Sequence, residues 1–495
     1  MKNFFLVFMI LFVSCGKDFL TENPKGILTV DLALSSGDIQ SVADGLAYQF
    51  SNIYSQSACV APYMGGDDLT SFQCCRISFE EIDRFRTSAS NQRLFVYWSS
   101  CYLTIRNANA IIDHIDKNKE NQSLRNDVKG QAYFYRGLCY SFLTRIFGKV
   151  PLITEFLSNS DFSIPKAEVS DIYEQIVSDL KNAEELLPKI RPEKSDERGG
   201  NPGAKPCQGT VKALLSQIYL TMAGWPLNQK DNYALAAAKA KEVIDNSHVY
   251  GYQLLSDPHD LWTWANNYTN KEIVFGVYFS MIHQSMHGPL GPRPIEDFLG
   301  GWASGWNDYM GEISFFKRFP AGPRKDATYQ TIMDKDNFGK VSWDDPRTST
   351  RHPYFKKYQE EYPGAVWIGC RTEQVIRYAE ILLNYAEAQV MSTGIADDSA
   401  YAAVNQIRKR AGLPNITPGL SAIAFRDSVL AERGWEFAGG EAASRWFDLI
   451  RTESLEQATL LRSIQEQPLY KQPDHQDYWL PIPSVDALAN PLLNN

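Results

Sequence analysis

Tryptophans set between glycines are the residues of this sequence best suited to hold a ligand. Residues 300–309 read GGWASGWNDY and contain Trp302, Trp306 and Tyr309. The glycines let the backbone turn, so that rings which a regular helix would bury can face solvent. The chain carries 11 Trp, 25 Tyr and 26 Phe, many of them in polar, glycine-rich surroundings. We therefore expect flat aromatic recognition surfaces in the loops, with these three rings among the first candidates.

Signatures of catalysis and of metal binding are weak. His283 and His287 have HxxxH spacing, but Gln284 occupies the place where a zinc protease needs its glutamate. Residues 334–345 imitate a calcium loop, yet Phe338 stands at a ligand position. Serine-hydrolase, P-loop and dinucleotide fingerprints do not occur in the sequence. The sequence thus predicts no catalytic residue, no metal site and no cofactor.

Length and charge narrow the class of protein. The chain has 495 residues, 44% hydrophobic and 22% charged, which is ordinary globular usage. Acidic residues number 58 against 49 basic ones, giving a net charge of −9, and the sequence has no basic tract that would attract a polyanion despite this negative charge. We therefore expect no nucleic-acid partner.

The first fifteen residues have the pattern of an export signal. Lys2 precedes an apolar run over residues 4–13, which is too short to cross a bilayer as a helix. The run ends in Phe-Val-Ser-Cys, which resembles a bacterial lipobox. We predict a signal peptide over residues 1–14, lipidation of Cys15, and one soluble body over residues 15–495 tethered by lipid.

Seven cysteines follow Cys15, so at least one of them is unpaired. Export would permit disulfides, and Cys59 could close a loop with Cys74 or Cys75. The pairing itself stays open, because connectivity cannot be read from spacing.

Helix pairs recur along the chain. Residues 210–224 place apolar side chains three and four apart, and the alanine-rich residues 233–243 follow as a second helix. Small residues that let two helices approach closely are typical of tetratricopeptide repeats, although no strict repeat length appears. We predict a mostly α fold, a superhelix of degenerate tetratricopeptide-like pairs over about 126–246 and 373–452. The other pairs are 131–147 with 170–187, 373–391 with 399–411, and 422–437 with 443–451.

A loop-rich insertion separates the two helical regions. Residues 249–370 are dense in glycine and proline, and only residues 272–279 have a strand-like pattern. A second such loop covers residues 55–93. Since connecting segments carry function while a scaffold positions them, we expect the insertion to face the ligand.

Several sequence blocks, spread over essentially the whole chain, are shared with one known family. Trp98 begins a W-x3-Y-x2-I-x3-N pattern, and a block around Arg136 has Gly137 where alanine is usual. The remaining blocks are Cys15-Gly16-Lys17-Asp18-Phe19-Leu20, Phe147-Gly148-Lys149-Val150-Pro151-Leu152, Arg377-Tyr378-Ala379-Glu380-Ile381-Leu382, Glu432-Arg433-Gly434-Trp435-Glu436-Phe437, Arg445-Trp446-Phe447-Asp448-Leu449 and Leu480-Pro481-Ile482-Pro483. Together these blocks resemble the SusD/RagB family of outer-membrane nutrient-binding lipoproteins of the Bacteroidota.

The resemblance implies capture and delivery of nutrients rather than bond making. It implies a lipoprotein anchored in the outer membrane and exposed at the cell surface, which binds a glycan and passes it to a SusC-like TonB-dependent transporter. Two alternatives stay open: peptide binding by a RagB-type member of the same fold, and a surface glycosidase.

A sugar ring needs both a flat apolar surface and polar groups at its rim. Trp302, Trp306 and Tyr309 would supply the surface. The family places ligand-contacting polar groups in the loop that holds Asp67 and Asp68, which makes both rim candidates. Trp98 is a further candidate platform, although its helical position is equally typical of a core residue.

Charged residues in the family blocks have a structural interpretation. Arg377, Glu380, Asn384 and Glu387 share one helix face, which predicts a solvated or interhelical ion-pairing surface. We expect the charged residues of the last helix pair to lock that pair together; they are Glu432, Arg433, Glu436, Arg445 and Asp448.

Overall fold

A computed structural model describes residues 39–71, 76–157, 163–191, 204–280, 282–287, 306–335, 339–346, 348, 350–358, 369–442 and 445–494. Helices dominate these residues and the strands are short, which confirms the predicted mostly α fold. The predicted signal peptide over residues 1–14 and the predicted lipidation site Cys15 lie outside the described residues.

The helices fall into long ones that build the frame and short ones that join it. Those of the first half are α1 Ile39–Ser55, α2 Ile77–Asp83, α3 Gln92–His114, α4 Gln122–Phe147, α5 Val169–Leu186, α6 Gln208–Met222, α7 Asn232–Asp245 and α8 Ser247–Tyr250. Those of the second half are α9 Ile313–Arg318, α10 Pro323–Thr328, α11 Tyr378–Thr393, α12 Asp398–Arg410, α13 Ala422–Glu436, α14 Arg445–Arg451, α15 Leu455–Thr459 and α16 Ser484–Ala489.

The predicted helix pairs pack as pairs. Helix α4 packs against α5, α6 against α7, and α11 against both α12 and α13. In α6 the residues at spacings of three and four, Val211, Leu214 and Ile218, are all buried. Helix α11 also packs against α7, so the two helical regions share one core despite the insertion between them.

The strands form antiparallel two-stranded ladders. The pairs are β1 Leu69–Ser71 with β3 Tyr309–Gly311, β2 Ile273–Val277 with β8 Glu373–Arg377, β4 Tyr329–Gln330 with β7 Tyr354–Phe355, and β5 Ile332–Lys335 with β6 Gly339–Ser342. Strand β2 lies inside the predicted strand 272–279. The prediction of a helix from residue 373 was wrong, because residues 373–377 pair with β2 and the helix begins at Tyr378.

Buried ion pairs join the insertion to the last helices. Arg377 is 2% exposed and bonds Glu272 at 2.8 Å, Glu436 at 2.8 Å and Glu441 at 2.7 Å. Arg377 itself lies in β8, while Glu380, Asn384 and Glu387 of α11 are buried, so the predicted charged face is interhelical rather than solvated. Buried networks of this kind fix geometry more surely than they add stability.

The last helix pair is locked by only some of the predicted residues. Arg433 of α13 donates to Asp448 of α14 at 2.7 Å, as expected. Arg445 instead donates to Asp67 at 2.8 Å, which ties α14 to the loop near the start of the chain. Glu432 and Glu436 accept from arginines outside the pair; these are Arg324, Arg377, Arg408 and Arg410.

Cys59 is a free, buried thiol, so the structure does not close a loop from this residue. Cys101, Cys139 and Cys207 are also free and buried, Cys370 is buried, and Cys74 and Cys75 lie outside the described residues. Within the part of the chain that the structure describes, no helix is long and apolar enough to cross a membrane.

Candidate functional site

The β1–β3 ladder joins the two loop regions. Leu69 pairs with Gly311 and Ser71 pairs with Tyr309 in antiparallel register. The chain that leaves β1 after Ser71 and the chain that enters β3 before Tyr309 therefore extend from the same end of the ladder. Arg76, which follows β1, and residues 306–308, which precede β3, therefore lie near this end of the ladder.

Arg76, Trp306 and Asp308 meet at this end. The Arg76 Nε lies 3.3 Å from Asp308 Oδ1, and its guanidinium carbon lies 5.0 Å from the centre of the Trp306 ring. The Arg76 side chain is 40% exposed, whereas that of Asp308 is fully buried. Asn307, between Trp306 and Asp308 in the chain, has φ of 53°. Asparagine tolerates this left-handed conformation better than most residues, and it turns the chain here. We name this group the Arg76–Trp306–Asp308 site.

A second arginine, Arg93, acts on the Asp308 carboxylate through its charge. Arg93 lies in the first turn of α3, where the Asn91 side chain caps the helix by accepting from the backbone N–H of Arg93 at 3.0 Å. Burial lowers the pKa of Arg93, and the charge of Asp308 opposes that effect. Burial likewise raises the pKa of Asp308 to about 6, against the opposing charges of Arg76 and Arg93. The carboxylate is thus held ionised near pH 7 at an energetic cost.

This arrangement combines an aromatic surface with a charged donor and a charged acceptor. Trp306 is partly buried and packs against the core, which fixes its ring. A guanidinium donates hydrogen bonds only, whereas a carboxylate accepts them. Oδ2 of Asp308 is itself buried and, among the described residues, receives no hydrogen bond, so the carboxylate orients Arg76 and does not meet a ligand directly. A ring with hydroxyl groups at its rim can meet the exposed guanidinium and the indole.

Comparison with known proteins identifies the family. A family model described as starch-binding associating with outer membrane matches residues 72–220, and one described as the SusD family matches residues 342–495. Together the two matches cover more than half of the chain. The chain belongs to the SusD family. A SusD-like protein P2 of Formosa agariphila is 26% identical, with 99% of this chain and 97% of the relative aligned.

Solved structures share the fold of this SusD-family protein. A SusD homolog from Bacteroides thetaiotaomicron has a TM-score of 0.80 at 19% identity, over 96% of this chain and 99% of that one. A laminarin-binding SusD-like protein has a TM-score of 0.74 at 24% identity, covering 92% and 98% of the two chains. A structure with xylogluco-oligosaccharide has a TM-score of 0.75 at 19% identity, again covering 92% and 98%.

The three predicted loop aromatics of this SusD-family protein do not form one platform. Trp302 lies outside the described residues. Trp306 belongs to the site above. The expectation of an exposed ring at Tyr309 was wrong: its side chain is 0% exposed, because Tyr309 begins β3 and packs against Phe355 in the core. The glycines that precede Tyr309 therefore suggested an exposed loop residue where the chain already forms strand β3.

Asp67 and Asp68 act within the fold rather than at an open rim. Asp68 is 1% exposed and its Oδ2 accepts from the backbone N–H of Gly439 at 2.9 Å. Burial raises the pKa of Asp68 to about 7, although the Gly439 hydrogen bond lowers it. The Asp67 side chain is 8% exposed and pairs with Arg445. Both carboxylates tie the loop after α1 to the segments around α14, so neither presents the open rim that we expected.

Trp98 is a core residue. It is 3% exposed in α3, with its ring 4.8 Å from that of Tyr102 and 5.1 Å from that of Phe147. The structure thus favours the core interpretation and contradicts the alternative of an exposed platform.

The two histidines with HxxxH spacing have separate partners. His283 Nε2 lies 2.5 Å from the Ser51 hydroxyl, and His287 Nδ1 lies 2.8 Å from Glu373 Oε2. Within the described ranges, no cluster of His, Cys, Asp and Glu could hold a metal ion.

Sequence reasoning missed Arg76, Arg93 and Asp308 as site residues. Asp308 stood inside the tryptophan-rich segment, and its place beside an aromatic was the available signal. Nothing in the local sequence distinguishes Arg76 or Arg93 from the other arginines of the chain. Only the pairing of β1 with β3, hundreds of residues apart, brings Arg76 to Asp308.

Proposed function

We propose that this protein is a cell-surface lipoprotein that binds oligosaccharide or polysaccharide fragments and delivers them to a SusC-like TonB-dependent transporter. The observation that carries the binding step is the Arg76–Trp306–Asp308 site, where an indole, a guanidinium and a carboxylate lie together. An indole can stack on the apolar face of a sugar, while the exposed Arg76 guanidinium, held by the buried Asp308, donates to the hydroxyls of its rim.

The comparisons support a glycan as the ligand class. Neighbours of the same fold are described as binding laminarin and as solved with xylogluco-oligosaccharide. Two different glycans in one frame mean that the frame does not fix the sugar. Two of these neighbours are described as glycan-binding or laminarin-binding proteins and not as enzymes, which favours capture of the glycan over its hydrolysis.

Calorimetric titration of residues 16–495 with laminarin, xyloglucan fragments and mixed peptides tests the binding step. Replacing Trp306 by Ala removes the stacking surface, and we expect glycan affinity to fall about tenfold, equivalent to ~1.4 kcal/mol. Trp435→Ala is the matched control, because Trp435 is also partly buried against the core but lies in α13.

Three results would contradict the proposal. Binding of peptides alone would favour the RagB-type alternative, and reducing ends released from polysaccharide would favour a glycosidase. Equal losses of glycan affinity in the Trp306 and Trp435 variants would show that the Arg76–Trp306–Asp308 site is not where the glycan binds. Delivery is tested separately, by asking whether the full chain co-purifies with a TonB-dependent barrel from outer membranes.

A further inference from the structure

The Arg76–Trp306–Asp308 site presents a guanidinium to solvent and keeps its carboxylate buried. The Arg76 side chain is 40% exposed, whereas Asp308 is fully buried, with its Oδ1 3.3 Å from Arg76 Nε. This contact uses Nε, and the Nη1 and Nη2 atoms of a guanidinium carry four further N–H groups. The indole of Trp306 can add only an N–H donor. The two side chains that can reach a ligand therefore donate hydrogen bonds and accept none.

Arg76 is held in place at both ends. Its carbonyl accepts from the backbone N–H groups of Phe79 at 2.9 Å and Glu80 at 3.2 Å, so α2 begins directly after it. Its guanidinium carbon lies 5.0 Å from the centre of the Trp306 ring, and that ring packs against the core. A side chain fixed in this way loses little freedom when a ligand binds to it.

Positive charge exceeds negative charge in this part of the molecule. Burial lowers the pKa of Arg93, the charge of Asp308 opposes that effect and the charge of Arg76 adds to it, so the two cations lie near one another. Two guanidinium groups thus act on one carboxylate and leave a net positive charge around Arg76. The overall charge of −9 is spread over the whole chain, and salt screens charges beyond about 8 Å at physiological ionic strength. The local charge therefore governs what binds here.

Neutral and anionic sugars make different demands on such a site. A hydroxyl group both donates and accepts, so a rim of hydroxyls is matched best by donors together with acceptors. An ionised carboxylate or sulfate ester only accepts, and a guanidinium can meet a carboxylate with two parallel N–H bonds. Hydrogen bonds between charged groups are also stronger than those between neutral ones. Exposed donors with a positive charge therefore match an anionic group better than a hydroxyl.

We propose that the glycan bound at the Arg76–Trp306–Asp308 site carries anionic groups, either uronate carboxylates or sulfate esters, and that Arg76 binds one of them. This inference rests on the proposed function and deepens it, because it narrows the ligand class from glycans to acidic glycans. Carboxylate and sulfate share the chemistry that Arg76 recognises, and the choice of oligosaccharides distinguishes them.

Titration of the purified protein with matched pairs of oligosaccharides tests the ligand class. Oligogalacturonides and alginate oligosaccharides are each compared with their carboxyl-reduced forms, and carrageenan oligosaccharides with their desulfated forms. Laminarin and xyloglucan fragments are the neutral references. We expect an acidic member to bind about tenfold tighter than its neutral partner or more. Its affinity should fall as NaCl is raised from about 50 to about 500 mM, whereas that of the neutral partner should not.

Substitution of Arg76 tests the residue that binds the anion. Arg76→Gln removes the charge and should weaken acidic ligands about tenfold, with little effect on their neutral partners. Arg76→Lys keeps the charge but lacks the planar fork, so its loss should be smaller. Arg318→Gln is the matched control, because Arg318 is also 40% exposed and lies 3.7 Å from the mostly buried carboxylate of Asp67, but belongs to α9.

The outcomes separate this inference from the proposed function. Neutral glycans that bind as tightly as their acidic partners would overturn the acidic ligand class and leave glycan capture standing. Acidic ligands that bind Arg76→Gln as tightly as unaltered protein, or that lose equal affinity for Arg318→Gln, would overturn it too. A response to the carboxylated or to the sulfated members alone supports the inference and identifies the anionic group. If no oligosaccharide of either kind binds, glycan capture fails and this inference fails with it.

Discussion

Replacing Asp308 by Asn should make the protein more stable and a poorer binder. Asp308 is fully buried as a side chain, and burial raises its pKa to about 6 from an ordinary value of 3.8. Arg76 and Arg93 only partly compensate for that burial. Asn has nearly the same shape and carries no charge, so the cost of burying the ion disappears in the variant. Functional sites commonly carry such costs.

The size and sign of the effect follow from the pKa. The difference between 3.8 and about 6 corresponds to ~3 kcal/mol, since a tenfold change in an equilibrium constant is ~1.4 kcal/mol. Between those two pH values the folded protein binds the proton and the unfolded chain has lost it. Stability therefore falls as pH rises through this range, and the full cost is present above about pH 6.

Urea unfolding of both proteins, followed by tryptophan fluorescence across this pH range, isolates the effect. Other groups titrate in both proteins, so the quantity of interest is the difference between the two unfolding free energies. We expect the Asn variant to gain ~1–3 kcal/mol above pH 6 and almost nothing near pH 4. A difference that does not change with pH, or a variant less stable at neutral pH, would refute the reasoning. Glycan affinity of the same variant should fall, because the carboxylate that holds the Arg76 guanidinium in place is lost.

Two further predictions concern the frame. Arg136→Met leaves Asp179, whose side chain is 0% exposed, without its bidentate partner, so we expect the free energy of unfolding in urea to fall by ~3–5 kcal/mol. Lys149→Met, whose ion pair with Glu168 is exposed, should cost under ~1 kcal/mol. Similar losses in the two variants would contradict this distinction. Burial lowers the pKa of His352, but its 2.8 Å hydrogen bond with Glu466 outweighs burial and raises that pKa above 6.5. The pair therefore stabilises the fold below pH 6.5 and loses this effect as pH rises through the folded-state pKa of His352. The His352→Gln variant should lose most stability in acid and least in alkali. A loss of unfolding free energy that stays constant with pH would contradict this prediction.

The helical frame could be predicted because its signal is local. In α6 the apolar spacing of three and four is a property of adjacent turns, and burial of Val211, Leu214 and Ile218 follows from it. Strand β8 could not be predicted this way. Residues 373–377 lead directly into a helix, and only pairing with β2, about a hundred residues earlier, makes them a strand. Long-range pairing overrides local preference in short strands.

The site was predicted in part for the same reason. Glycines around Trp306 pointed to a loop aromatic, which the structure places beside Arg76 and Asp308. Tyr309 follows the same glycines but is buried, because β3 needs a partner strand that local sequence does not reveal. Asp67 pairs with Arg445, which is 378 residues away in the chain, so no spacing could indicate the contact.

The β1–β3 ladder has an evolutionary consequence. Its register depends on main-chain hydrogen bonds that almost any pair of residues can make, so the chain segments that follow β1 and precede β3 can change in sequence without changing that register. Under the proposed function, substitutions in these segments would change which glycan is bound and leave the helical frame as it is. After gene duplication, a few substitutions in these segments could therefore give one copy a new ligand specificity, while both copies keep the same helical frame.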